Sequence, residues 1–71
     1  MEIDMNKLSR LLINRTDKIE AIVAGSGYLP KTVIGVATFL LDNDGNYDLL
    51  TAKQQVTFDK FLKPLLDNPK R

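Results

Sequence analysis

Seventy-one residues carry ten lysines and arginines against nine aspartates and glutamates, a formal net charge of +1, with no histidine and no cysteine. That composition excludes a disulfide, a thiolate zinc site and any chemistry that depends on imidazole. The near balance of charge argues against bulk nucleic acid or an anionic membrane as an electrostatic partner. A chain of this length buries only about 60% of the surface its unfolded form exposes. A single core of that size nets about 3–5 kcal/mol, so added support from a partner or a carboxylate-bound metal is expected.

Residues 1–10, MEIDMNKLSR, mix charges without an apolar run and do not read as a signal peptide. No stretch approaches the roughly 20 apolar residues that cross a bilayer. A cytoplasmic protein forming a single helical domain over residues 1–71 is expected. Asn14-Arg15-Thr16 matches the glycosylation sequon, but no secretion signal accompanies it.

Leu8, Leu11, Leu12, Ile19, Ile22 and Val23 keep helical phase along one face. The spacing favours one helix from about Asp4 to Ala24, with Asp4 as N-cap and Gly25 as the stop. The competing expectation is a break within residues 14–17, NRTD, because Asn, Thr and Asp are weak helix formers that suit caps.

GSGYLPKT, residues 25–32, follows. Gly25, Lys31 and Thr32 match the phosphate-binding P-loop pattern, but Pro30 stands at its second glycine. Proline has no N–H to offer a phosphate, and the preceding KIEAIVA reads as helix where the pattern needs a strand. A helix–helix connector is the expectation, with Pro30 in the first turn of the next helix.

That helix, about 30–42, is apolar over most of its circumference. Lys31, Gly35, Thr38 and Asp42 form one narrow polar stripe. A helix of this kind belongs in a core, and three helices of this length hardly surround it. Val33, Val36, Phe39 and Leu40 are therefore the expected partner-binding residues. An alternative uses the same segment as a helix-turn-helix, with Ala21, Gly25, Thr32 and Val33 near the motif's spacing and Lys31, Thr32 and Thr38 as DNA contacts. Against it, the connector is long and the helix offers no Arg, Asn or Gln to read base edges.

The next segment, LLDNDGNYDLLT, gathers acids around Gly45. With Gly45 at position 6 of a calcium loop, Asp42, Asp44 and Asp48 fall at positions 3, 5 and 9, but Leu40 and Thr51 take positions 1 and 12. Starting at Asp42 puts Tyr47 at the glycine position and Lys53 at 12. Both registers lack the closing glutamate, so a turn is expected, and a degenerate cation-binding helix pair is the third functional reading.

Thr51 and Gln54 then stand in capping-box spacing. Phe58, Phe61, Leu62, Leu65 and Leu66 line one face of the last helix, and Pro64 is expected to end or kink it near Lys63. A frayed tail is expected over 67–71. Ser9 and Ser26 have no histidine to activate them, and the acid pairs sit in a polar loop. No catalytic residue, cofactor or small-molecule substrate is assigned. The sequence reads as an all-α bundle of three to four helices. Its expected role is that of a small non-enzymatic regulatory or adaptor protein, a homodimer or docked on a larger partner.

Overall fold

The computed structural model describes residues 3–66, so the expectation for the tail at 67–71 lies outside the described residues. The bundle is all-α, with four helices. The first, α1 (Met5–Asn14), begins where Asp4 accepts a hydrogen bond from the Lys7 backbone N–H at 3.1 Å, as the cap signal predicts. It ends one residue before α2 (Thr16–Val23).

The break falls at Arg15, whose backbone leaves the helical region at φ −131°, ψ 33°. Its N–H donates to the Leu11 carbonyl at 3.1 Å, and its own carbonyl accepts from Lys18 at 2.9 Å. The expectation of one helix from Asp4 to Ala24 is thereby corrected. The break falls within NRTD, residues 14–17, whose Asn, Thr and Asp are weak helix formers. Breaking the rod lets Leu8 and Leu11 on one half, and Ile19 and Val23 on the other, reach the same core.

The third helix, α3 (Pro30–Asp42), has the predicted bounds, with Pro30 in its first turn. Gly25 (φ 79°) and Gly27 (φ 88°) carry the connector before it through the left-handed region, which L side chains avoid. At its far end the Gly45 N–H donates to the Leu40 carbonyl at 2.7 Å, and Asn43 Nδ2 to the Phe39 carbonyl at 2.8 Å. The acidic segment thus closes the open carbonyls of α3. A short 3₁₀ turn, Tyr47–Leu49, leads onward.

The fourth helix, α4, runs over 52–66. Its start is the predicted capping box: Gln54 N–H donates to Thr51 Oγ1 at 3.2 Å, and Thr51 N–H donates to Gln54 Oε1 at 2.9 Å. Such a cap contributes about 1 kcal/mol. An α-helical turn Ala52–Thr57 passes into a π-helical turn Phe58–Leu62, then back to α at Lys63–Leu66. Pro64 therefore does not end the helix at Lys63. Lys63 donates to the Phe58 carbonyl, five residues back. The wide turn thus lies immediately ahead of the residue that has no N–H to give.

One core holds the four helices together. Leu8, Ile19, Val33, Leu40, Phe58 and Leu62 are its largest fully buried side chains. Both halves of the broken rod, and both the first turns and the π turn of α4, touch α3. Thr57 is the buried polar residue, and its hydroxyl donates to the Lys53 carbonyl at 3.1 Å. Among the described residues no buried polar side-chain atom lacks a partner.

Candidate docking groove

The surround of α3 decides what remains for a partner. Val33 (0% exposed), Val36 (4%) and Leu40 (0%) lie in the protein's own core, and of the four expected partner-binding residues only Phe39 keeps a half-buried face. The expectation that α3 holds apolar surface in excess is corrected in this respect: two short helices cover it where one long rod would not. The surface left open keeps Phe39 and the edge of Val36 and adds residues of the last helix.

That surface lines a groove of about 630 Å³ between α3 and the start of α4, within the size range of ligand-binding clefts. From α3 come Lys31, Thr32, Gly35, Val36 and Phe39; from α4 come Lys53, Gln54, Val56 and Thr57. Tyr28 closes one end. Tyr28 is held by an edge-on contact with Phe61 at 4.8 Å and by the Lys60 ammonium 5.8 Å from its ring centre. Its backbone N–H donates to Ser26 Oγ, which itself donates to the Val23 carbonyl. A charge-bearing edge and an apolar floor result, with two lysines and no acid in the lining.

Two lining residues have no structural duty that accounts for them. Val56 is 54% exposed, off the apolar face of α4, while the other strongly exposed large apolar residues, Ile13, Leu29 and Leu49, lie outside the groove. Gly35 sits mid-helix, where glycine costs about 1 kcal/mol relative to alanine. A Cβ built on it meets nothing within 4 Å, so neither crowding nor backbone angle demands glycine there. Sequence reasoning missed Tyr28, Gly35, Lys53 and Val56 as site residues. The signals available were weak: one valine out of phase on α4 and one glycine in the polar stripe of α3.

The structure places the remaining candidates as follows. Lys31 and Thr32 share the groove, but Thr38 does not line it, and its hydroxyl donates to the Ile34 carbonyl at 2.9 Å. Residues 25–32, the P-loop match, follow the helix α2 and not a strand. Asp42 at the end of α3 and Asp44 and Asp48 beyond it are exposed, and among the described residues no three His, Cys, Asp or Glu side chains gather to hold a metal ion.

The loop's chemistry is taken up by Tyr47. Its hydroxyl donates to Asp59 at 3.0 and 3.1 Å, and its ring meets Phe58 edge-on at 5.5 Å, tying the loop to α4. Desolvation first, then the hydrogen bond to Asp59 and the charges of Asp59 and Asp48, raise the tyrosine pKa above its ordinary 10.0. A raised folded-state pKa means the native protein holds this proton more tightly than the unfolded chain. The stabilisation is thus complete below about pH 10 and is lost as pH rises through the folded value. Alkaline urea melts are expected to show wild-type stability falling more steeply above pH 10 than that of Tyr47→Phe; parallel curves would refute the linkage.

Fold and groove together define a small all-α domain in which no described helix is long and apolar enough to cross a membrane. Compared with known proteins, the chain matches no family model, no curated protein and no solved structure.

Proposed function

We propose that the chain is a small non-enzymatic regulatory or adaptor protein that acts by protein–protein contact through the α3–α4 groove. The observation that carries this reading is the apolar lining formed by half-buried Phe39 and exposed Val56, with Lys31 and Lys53 and no acid among the described lining residues. Such a lining suits an apolar segment of a larger protein whose flanking carboxylates meet the two lysines. A two-fold homodimer through the groove is less well served. An isologous contact presents the same patch from both subunits, and neither copy's lining holds a carboxylate to meet the lysines.

Gly35 separates folding from binding. Gly35→Ala is expected to raise stability by about 0.5–1 kcal/mol, read from urea melts, because it removes the helix cost of glycine without a clash. Gly35→Leu keeps the helix and fills the groove. Wild-type protein used as bait in lysate is expected to retain a set of proteins that Gly35→Leu loses, at equal helicity by circular dichroism. Identical capture by the two would sink the groove reading. Light scattering supplies the second test: a mass of twice the monomer, unchanged in Gly35→Leu, would place self-association on another face.

A further inference from the structure

The net charge of +1 conceals an uneven distribution. Four of the chain's ten lysines and arginines, Lys7, Arg10, Arg15 and Lys18, line one cleft of about 250 Å³ where the break between α1 and α2 meets the end of α4. Leu11, Leu65 and Leu66 supply its apolar part, and among the described residues no carboxylate lines it. The cleft lies apart from the docking groove and shares no residue with it.

We infer that this cleft binds a compact polyvalent anion of the phosphate-ester or diphosphate class. Like charges in one small concavity repel one another, and a polyanion seated among them relieves that repulsion. One of the four is already fixed: Lys7 Nζ donates to the Leu66 carbonyl at 3.1 Å, and an ammonium has two further donors to offer. Arg10 and Arg15 supply planar guanidinium forks, which match phosphate oxygens two at a time. The break at Arg15 makes the arrangement, because a continuous helix would carry residues 16–23 away from α4. Asp17 stands in the first turn of α2 but is not among the described residues that line the cleft. The small volume suits one or two phosphoryl groups, whereas a nucleic-acid strand would need cations spread along a longer track.

The test is a titration of the isotope-labelled full chain with sodium pyrophosphate at constant ionic strength, followed by amide shifts. Saturable shifts confined to residues 7–18 and 65–66 are expected, with a dissociation constant below about 1 mM. The exposed pair change Arg10→Gln with Arg15→Gln is expected to weaken binding at least about tenfold without altering the melting curve. Lys63→Gln, outside the cleft, is expected to leave it unchanged. A second arm uses sedimentation with vesicles of neutral lipid containing phosphatidic acid. Co-sedimentation that depends on Arg10 and Arg15 assigns the phosphate to a lipid headgroup; its absence beside saturable pyrophosphate binding assigns it to a soluble compound. Unsaturable shifts spread over all lysines, or binding indifferent to the arginine changes, would overturn the inference.

Discussion

Leu40→Ala is expected to leave the chain largely unfolded at room temperature. Leu40 has no exposed surface and lies in the one core of the bundle, on the helix that every other helix touches. Truncating a buried leucine to alanine costs about 2–5 kcal/mol, from lost transfer energy and the cavity left behind. A domain of this length has about 3–5 kcal/mol to lose. The neighbouring Phe39→Ala makes the comparison sharp, because Phe39 keeps a groove-facing surface and gives up less on truncation. Far-UV circular dichroism and urea melts are the measurement. The expected result is a lost cooperative transition for Leu40→Ala and a retained one for Phe39→Ala. A Leu40→Ala chain that melts like wild type would show that Leu40 is surface, not core.

Gly45→Ala is expected to destabilise the fold by about 1–3 kcal/mol, and calcium is expected to restore none of it. Gly45 sits at φ 74°, in the region that costs an L-residue about 1–2 kcal/mol. An added Cβ would also lie 2.7 Å from the Met5 sulfur, which must then move. The same residue gives its N–H to the Leu40 carbonyl, so the strain bears directly on the end of α3. Urea melts with and without millimolar calcium distinguish the loop's two readings. A loss that calcium reverses would restore the metal site; a loss below about 0.5 kcal/mol would mean the left-handed turn is not required.

The parts of the fold legible in the sequence are those that a single local group determines. Pro30 sets the start of α3, Thr51 and Gln54 set the start of α4, and Asp4 caps α1. The break at Arg15 leaves no trace in the periodicity, because the apolar residues on either side stay in helical phase whether or not the rod is broken. What distinguishes the two is whether Leu8, Leu11, Ile19 and Val23 all reach one core, and that is a property of the whole molecule. The full burial of Val33 and Leu40 follows from the same point. An apolar helix looks under-covered until the number of segments around it is known. The π turn left no mark, since it asks for no particular residue type. The groove arises from how α3 and α4 lie against one another, and its residues come from stretches 28–39 and 53–57 that share no motif.

The π turn at Phe58–Leu62 also bears on how this chain can change over time. Counted in residues, such a turn is an α-helix carrying one surplus amino acid. Elsewhere in the bundle, removing one helical residue would swing everything beyond it by about 100° and turn buried faces outward. Between Phe58 and Leu66 the surplus is already absorbed, and Lys60 stands exposed within it. Loss of that one residue would return the helix to ordinary pitch, but would then set the Pro64 ring against the carbonyl four residues back, at a cost of about 3 kcal/mol. The surplus residue and the proline are thus coupled, and a change of length here calls for a change at Pro64 as well.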